Sequence, residues 1–322
     1  MTFAALSVAR TVMGEPMLRI LLFILAGAFL AGAEPASGQQ RETSGTRFAQ
    51  VEGRKVRVQM LGLEGRQAGA PVIVLESGVA TPLDGWRGIL PELVKLAPVV
   101  AYDRAGIGQS EWDGASPDPR HAASRLRRIL AELGVAPPYV IVGHSWGGVL
   151  ARYFAGMHAR EVAGLVLLDP GPTLSGAPEG HLAPFRAIGA GEKEFDVYWS
   201  TFTGLFGKAS PAVQAEFRSM RQLLEMAPAQ RQMPALPDMP VAVIVAGKYL
   251  HLPIYEQMPL DSRRFFEADL SHRVEVLQQL VRGSSNGTLL LATEASHAVH
   301  KDAPGLVVWA VRRVLEAQPP TR

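Results

Sequence analysis

The sequence of 322 residues contains no cysteine. This absence excludes disulfide bonds, thiolate nucleophiles and cysteine-ligated zinc sites. It does not locate the protein, although it is compatible with an oxidising compartment. The hydrophobic fraction of 48% and the charged fraction of 19% are typical of a globular protein. A chain of this length can bury a substantial core without cross-links.

The sequence also has little net charge and no dense run of lysine or arginine. Its 32 basic and 30 acidic residues give a formal net charge of +2 at pH 7. Nucleic-acid binding therefore has little support, since proteins that bind nucleic acid carry a basic patch or stripe. One short basic cluster, Arg125, Arg127 and Arg128, is interpreted as the solvated face of a helix.

Near the N-terminus, the apolar run is too short for a comfortable membrane span. Arg19 precedes this run, Ile20–Leu30, and the small residues Ala31-Gly32-Ala33 follow it. This order predicts a secretory signal peptide over residues 1–33, and thus a secreted or periplasmic protein. An uncleaved N-terminal anchor is the alternative, and no other contact with a membrane is predicted.

Residues 34–46 are polar and rich in Gly, Ser and Pro, which predicts a flexible linker. Beyond the linker, short apolar runs alternate with segments of helical periodicity. Runs that are apolar throughout indicate strands covered on both faces, so we expect an α/β fold with a mostly parallel, doubly wound sheet. The predicted strands include Val56–Leu61, Pro71–Leu75, Val99–Tyr102, Tyr139–Val142, Leu165–Leu168, Val241–Val245 and Thr288–Leu291, and the predicted helices include Trp86–Leu96, Arg120–Leu133, Val149–Ala159, Glu267–Val281 and Leu306–Leu315.

The segment from about Gly171 to Pro240 has no strong strand pattern. It is rich in aromatic residues and methionine, and Pro and Gly divide it into helical pieces. We therefore predict a helical lid over residues 171–240, inserted after the sixth strand. Residues 47–170 and 241–318 then form the core of the domain. Most aromatic side chains of the insert are expected to pack against one another.

The strongest chemical signal is Gly143-His144-Ser145-Trp146-Gly147, which lies directly between a predicted strand and a predicted helix. A nucleophile on such a sharp turn has a positive φ and needs small neighbours, which the flanking glycines supply. The N-terminal amides of the following helix favour negative charge at the turn. This context predicts that Ser145 is a nucleophile, and it gives His144 a supporting role.

A neutral serine needs a base to activate it. His297 follows the last predicted strand, and loops at the carboxyl ends of strands form the site in open parallel sheets. We therefore predict His297 as the base. His300 is the alternative, although it is expected at the start of the terminal helix.

The base in turn needs an acid that orients it and stabilises the imidazolium. Asp169 ends the predicted strand Leu165–Leu168, so the order Ser, Asp, His along the chain is preserved. We predict Asp169 as this acid. The strand Val241–Val245 is followed by no carboxylate before Glu256, so Glu256 and Asp261 remain the alternatives.

A tetrahedral intermediate needs donors that bind its oxyanion. The backbone N–H of Trp146, directly after the nucleophile, is one predicted donor, and the N–H of Val79 is the other. Gly78 lets the backbone turn close to the substrate, so we predict that it contacts the substrate. Glu76 stands in an apolar surround and is interpreted as a structural hydrogen-bond acceptor.

Taken in order, these motifs resemble the α/β-hydrolase superfamily over roughly residues 50–318. The resemblance implies a serine hydrolase of the esterase-like branch that forms an acyl-enzyme on a small to medium apolar ester. No cofactor and no metal are implied, and nothing indicates the oligomeric state. The residues that carry the resemblance are Leu75-Glu76-Ser77-Gly78, Tyr102 to Ser110, Gly143 to Gly148 and Ser296-His297.

The chain departs from the superfamily pattern at two places. Ser77 stands where many members have histidine, which leaves the backbone donor intact. The acid after the later strand is missing, and some members place it one strand earlier, where Asp169 lies. In similar proteins the pair corresponding to Asp103-Arg104 holds its own loop together.

Other chemistries remain open on the same fold. A peptidase, lactonase, thioesterase or cofactor-free haloperoxidase would use the same three residues. Haloalkane dehalogenases and epoxide hydrolases resemble this chain but have Asp at the position of Ser145. A non-catalytic binding protein would be expected to lack Ser145 or His297, and both are present.

Overall fold

The computed structural model describes residues 45–317. The predicted signal peptide, residues 1–33, lies outside the described residues, as does the predicted linker up to residue 44. The linker predicted over residues 34–46 is one residue too long at its end, because Thr46 begins the first strand.

Within residues 45–317 the chain forms an eight-stranded sheet of order β1-β2-β4-β3-β5-β6-β7-β8. Strand β2 pairs antiparallel with both β1 and β4, whereas the strands from β4 through β8 run parallel. The prediction of a mostly parallel sheet is therefore confirmed. The strands are β1 Thr46–Val51, β2 Arg54–Leu61, β3 Val72–Glu76, β4 Val99–Tyr102, β5 Tyr139–His144, β6 Val162–Leu168, β7 Val241–Ala246 and β8 Gly287–Ala292.

Helices cover both faces of this sheet, as expected for strands that are apolar throughout. Helices α2, α3 and α7 pack on one face, and α1 and α9 pack on the other. No helix within residues 45–317 is both long and apolar enough to cross a membrane. The helices are α1 Leu90–Leu93, α2 Pro119–Glu132, α3 Trp146–Met157, α4 Ala183–Ala187, α5 Glu192–Gly204, α6 Pro211–Glu225, α7 Ser262–Arg282, α8 Val299–Asp302 and α9 Pro304–Glu316.

Two predictions about helices are wrong. The predicted helix Trp86–Leu96 is reduced to a 3₁₀ turn, Leu83–Trp86, and the short α1. Pro91 lacks an N–H and crowds the preceding turn, so a continuous helix cannot pass through it. Arg125 is not on a solvated face. It is 5% exposed, and it is paired with Asp113 at 3.1 Å.

The other two arginines of that cluster are exposed as expected, with 56% of the Arg127 side chain and 46% of the Arg128 side chain accessible. Arg125 differs because Asp113 neutralises it at the protein interior. Asp113 lies in the loop directly before α2, and helical periodicity does not reveal that this carboxylate folds back onto the helix and allows the arginine to be buried.

The segment 171–240, here called the insert, lies between β6 and β7. It contains α4, α5 and α6 and no strand. Its aromatic residues pack against one another, as the contacts among Phe202, Phe206 and Phe217 illustrate. Phe185 also packs on Phe265 of α7 with 4.6 Å between ring centroids. The insert is therefore anchored to the core, and its action as a lid stays a prediction.

Strand β5 lies between β3 and β6, and its Ile141 is fully buried. We expect Ile141→Ala to lower the free energy of unfolding by about 2–5 kcal/mol, because it removes apolar contacts and leaves a cavity. Leu291→Ala on the edge strand β8 is the control. Its side chain is 50% exposed, so the expected loss is about 1 kcal/mol. Urea unfolding followed by tryptophan fluorescence measures both, and equal losses would contradict this difference in burial.

Candidate active site

Ser145 stands on the turn that joins β5 to α3. Its backbone has φ 54° and ψ −123°, a region that residues other than glycine rarely adopt. The Ser145 N–H donates to the Leu168 carbonyl at 3.0 Å, and the Ser145 carbonyl accepts from the N–H groups of Gly148 and Gly171 at 2.9 and 3.1 Å. These bonds hold the strained turn against the end of β6.

The glycines beside Ser145 are required by close backbone approach. A Cβ on Gly143 would come within 3.0 Å of the Gly147 backbone, and one on Gly147 would come equally close to the carbonyls of Glu76 and Ser77. Real Cβ atoms essentially never make such contacts. The turn therefore packs its backbone directly on the end of β3, which brings Ser145 beside the loop that follows β3.

This crowding makes a testable prediction about stability. Gly147→Ala should lower the free energy of unfolding by about 1–3 kcal/mol, because the added methyl group must displace backbone atoms. Gly305→Ala in α9 is the matched control, since its Cβ would meet nothing within 4 Å. That change should be neutral or stabilising by up to about 1 kcal/mol. Thermal unfolding of both variants checks the prediction, and a Gly147→Ala protein as stable as the parent would refute it.

Asp169 and His297 are in direct contact. Asp169 follows β6 and is 5% exposed, and its Oδ2 lies 2.6 Å from His297 Nδ1. The other carboxylate oxygen accepts the N–H of Ala246 at 2.9 Å and the Arg273 guanidinium. Each oxygen of this buried carboxylate therefore has a partner, as a buried charge requires.

Asp169 is held in its ionised form. Burial raises the pKa of this carboxyl, but the hydrogen bond from His297 and the charge of Arg273 outweigh burial and keep the pKa below its ordinary value. An ionised carboxylate beside Nδ1 favours the tautomer in which Nδ1 carries the proton. The Nε2 atom of His297 is then the one that can accept a proton.

The alternative residues are engaged elsewhere. His300 is buried against Trp86, with ring centroids 4.8 Å apart, and burial lowers the pKa of His300 to about 4. The Glu256 side chain is 71% exposed and lies near His251. The Asp261 carboxylate accepts two backbone N–H groups and caps the start of α7. The structure therefore brings Asp169 together with His297, and neither Glu256 nor Asp261 takes that place.

Gly78 and the two predicted oxyanion donors lie around Ser145. A Cβ on Gly78 would be 3.4 Å from the Ser145 Cβ and 3.1 Å from His144 Nδ1, so this loop passes close to Ser145. Within residues 45–317, the backbone N–H groups of Val79 and Trp146 donate no hydrogen bond. Both amides are therefore available to bind an oxygen atom.

His144 contacts the main chain of His297. Its Nε2 lies 2.7 Å from the backbone carbonyl of His297. Burial, together with the neighbouring His300 and His297, holds the pKa of His144 well below its ordinary value, so the ring is neutral and Nε2 donates. These histidines do not form a metal site, since no group of three or more potential ligands within residues 45–317 is arranged to hold a metal ion.

The pair Asp103 and Arg104 divides its tasks. Asp103 holds its own loop as the resemblance implied, because its carboxylate accepts the N–H groups of Leu83 and Gln109 at 2.7 and 2.9 Å. Arg104 does not serve that loop. Its Nη1 contacts the Glu76 carboxylate at 2.8 Å. The Glu76 carboxylate also accepts the Tyr102 hydroxyl, so it is the structural acceptor expected from the sequence.

Two residues that touch this site gave no recognisable sequence signal. Arg273, on α7, binds the carboxylate of Asp169. Glu216, on α6 of the insert, binds Arg104. Both stand in amphipathic helices among other charged residues, where nothing local marks a charge that will be buried.

A family sequence profile described as alpha/beta hydrolase fold matches residues 71–245. The chain belongs to this family. The matched span begins just before β3 and ends within β7, so it contains Ser145, Asp169 and the predicted oxyanion loop. His297 lies beyond the matched span, and its place rests on the structure.

Two curated relatives are similar to parts of the chain. Lipase LipV of Mycobacterium tuberculosis is 42% identical over 93 residues, which is 29% of this chain and 34% of the lipase. A haloalkane dehalogenase of Mycolicibacterium smegmatis is 30% identical over 145 residues, which is 44% of this chain and 42% of that enzyme. The chain therefore spans less than half the length of the relatives it matches.

The solved structure of an alpha/beta hydrolase fold protein from Burkholderia ambifaria superposes with a TM-score of 0.54. The superposition covers 84% of this chain and 97% of that protein, and the two sequences are 23% identical. At this identity the likeness establishes the fold alone.

Proposed function

We propose that this hydrolase-fold protein is a carboxylic-ester hydrolase that forms an acyl-enzyme on Ser145. The observation that carries the proposal is the 2.6 Å contact between His297 Nδ1 and Asp169 Oδ2. The carbonyl of His297 also accepts His144 Nε2, from the residue that precedes Ser145 on the strained turn, and the amides of Val79 and Trp146 have no partner within residues 45–317. This arrangement suits attack on a carbonyl carbon, because it supplies a nucleophile, a base and an oxyanion site together.

Acylation begins when Ser145 Oγ attacks the ester carbonyl carbon. His297 Nε2 takes the hydroxyl proton as the new C–O bond forms, and the π electrons of the carbonyl move to its oxygen. The N–H groups of Val79 and Trp146 bind that oxyanion, and Asp169 stabilises the imidazolium. When the carbonyl reforms, the bond to the alkoxide breaks and His297 delivers its proton to the leaving alcohol.

Deacylation repeats these steps with water. His297 removes a proton from a water molecule, whose oxygen attacks the acyl carbon, and the same amides hold the second oxyanion. The bond to Ser145 Oγ then breaks, and the proton on His297 returns to the serine. The sum is one ester and one water converted into one acid and one alcohol.

The identity of the nucleophile favours an acyl substrate over the haloalkane substrate of the dehalogenase relative. Displacement at a saturated carbon by Ser145 would give an ether, which water cannot cleave at this site. Attack at a carbonyl carbon gives an ester, which the same residues can hydrolyse. The ester we propose has an apolar acyl or alcohol group of small to medium size, and the support for its apolar character is the aromatic-rich composition of the insert, which contacts the loop after β3 through Glu216.

Hydrolysis of a series of p-nitrophenyl acyl esters tests the proposal. Ser145→Ala should reduce activity to background, and Asp169→Asn should lower kcat by about 10³- to 10⁴-fold, because the imidazole loses the partner that fixes its tautomer. Glu256→Gln is the control and should leave activity unchanged, since that side chain is exposed. No hydrolysis by the parent at any chain length would refute the ester proposal. If Glu256→Gln lost activity and Asp169→Asn did not, the role of the acid would be assigned to Glu256 instead of Asp169.

The Arg273–Asp169 pair predicts a pH effect. Burial raises the pKa of the Asp169 carboxyl, but the charge of Arg273 helps to keep it below its ordinary value. This interaction stabilises the folded protein above the pKa of Asp in the unfolded chain, about 4, and its contribution is lost as the pH falls through the pKa of the folded state. Arg273→Gln should therefore lower the free energy of unfolding by about 1–3 kcal/mol at pH 7, and the difference from the parent should shrink below about pH 4.

Arg263→Gln is the control for this measurement. Arg263 lies on the same helix, but it is exposed and pairs with Glu267. The free energy of unfolding of Arg263→Gln should match that of the parent within about 0.5 kcal/mol at neutral and acid pH. An Arg273→Gln protein as stable as the parent at pH 7, or a difference that does not shrink at acid pH, would contradict the electrostatic role given to Arg273.

A further inference from the structure

The insert contributes a buried carboxylate to the loop that carries the predicted oxyanion donor. Glu216, on α6, is 1% exposed. Its Oε2 accepts the backbone N–H of Ala80 at 2.7 Å. Its Oε1 lies 2.6 Å from Arg104 Nε, and Arg104 Nη2 lies 3.1 Å from Oε2. Glu216 therefore binds the backbone of Ala80, the residue after Val79, and both of its carboxylate oxygens contact the Arg104 guanidinium.

Arg104 holds the other side of Val79. Its Nη1 donates to the Ser77 carbonyl at 2.6 Å, and its Nη2 donates to the Gly78 carbonyl at 2.6 Å. With the bonds to Glu216 and Glu76, all five guanidinium N–H groups have partners. Arg104 has no donor to spare, so its orientation is fixed by this set of contacts.

Opposite charges stabilise the cluster formed by Arg104, Glu216 and Glu76. Burial disfavours the charged guanidinium, but the carboxylates of Glu216 and Glu76 outweigh burial and raise the pKa of Arg104. Arg104 is 7% exposed, so removing one carboxylate would leave a buried charge with fewer partners. Bidentate guanidinium–carboxylate pairs also fix geometry, because both groups are planar.

The loop needs such a restraint. Ala80 has φ 54°, in the left-handed region that residues with a Cβ rarely adopt. The bond from its N–H to Glu216 helps to keep it there. Val79 thus lies between a residue whose carbonyl is held by Arg104 and a residue whose N–H is held by Glu216. The direction of the Val79 N–H depends on both.

We propose that Glu216 is a positioning residue, which acts through Arg104 and Ala80 to aim the Val79 N–H at the oxyanion. This inference rests on the proposed ester hydrolysis, and it makes the insert part of the oxyanion machinery. Oxyanion donors act only when they are placed in advance, and one lost donor lowers kcat by about 10²- to 10³-fold. A donor that is misdirected and still present should cost less.

The experiment compares Glu216→Gln with Glu225→Gln in the full chain. Glu225 lies on the same helix but is exposed and pairs with Arg221, so its variant should match the parent. For Glu216→Gln on p-nitrophenyl butyrate, kcat should fall by about 10- to 100-fold, with KM within about twofold. The loss should appear in kcat and not in KM, because the oxyanion forms in the transition state and the tetrahedral intermediate and is absent from the bound ester.

Two inhibitors separate positioning from general damage. An alkyl trifluoromethyl ketone accepts Ser145 Oγ at its carbonyl carbon and becomes a bound oxyanion, while the serine proton passes to His297. The methyl ketone of the same chain length binds without this addition. In Glu216→Gln, the inhibition constant of the trifluoromethyl ketone should rise by the factor by which kcat/KM falls. That of the methyl ketone should stay within about twofold.

Two results would overturn the proposal. One is an unchanged kcat in Glu216→Gln. The other is equal weakening of the binding of both ketones, which would indicate that Glu216 has a structural role only. If Glu216→Gln folds poorly, Glu216→Asp keeps the charge but shortens the reach to Ala80. It should show the same pattern with a smaller, several-fold loss. A parent enzyme without ester hydrolysis would refute the proposed function itself, whereas an active parent with an unaffected Glu216→Gln would refute this inference alone.

Discussion

Backbone packed on backbone, at the point where β5 turns into α3, sets the geometry on which the site depends. Gly147 lies so close to the carbonyls at the end of β3 that no side chain fits between them. The same turn is bonded to the Leu168 carbonyl at the end of β6. Ser145 is therefore fixed between the loop that carries Val79 and the loop that carries Asp169. Because close packing leaves little freedom, these parts of the candidate site are positioned before any ligand binds.

Charge at this edge of the sheet is arranged in two separate buried groups. Asp169 balances Arg273 and orients His297, while Arg104 is balanced by two carboxylates and restrains the loop after β3. Neither Asp169 nor Arg104 could be buried without its oppositely charged partners, since an unpaired charge away from water is costly. Through this pairing, residues from α7 and from the insert contact two loops of the candidate site.

The fold and the central residues of the site could be predicted because their signals are local. A strand, a glycine-flanked serine and a helix are adjacent in sequence, and apolar runs mark strands covered on both faces. Strand β1 was missed because its outer residues are exposed and no continuous apolar run marks it. Arg273 and Glu216 were missed for another reason. They meet their partners across 104 and 112 residues, and no local pattern encodes such pairs.

The position of Asp169 follows from how the neighbouring strand ends are packed. Strands β6 and β7 are adjacent and parallel, so their ends are only about 5 Å apart. After β7 the chain continues with Gly247, where a Cβ would lie 3.1 Å from the Thr293 backbone, so a larger side chain would be crowded there. Asp169 avoids this crowding by extending from β6 to the N–H of Ala246, the last residue of β7. The carboxylate of Asp169, at the end of β6, thus occupies the space beside the end of β7. His297 requires only that a carboxylate lie at this position, whether it extends from β6 or from β7.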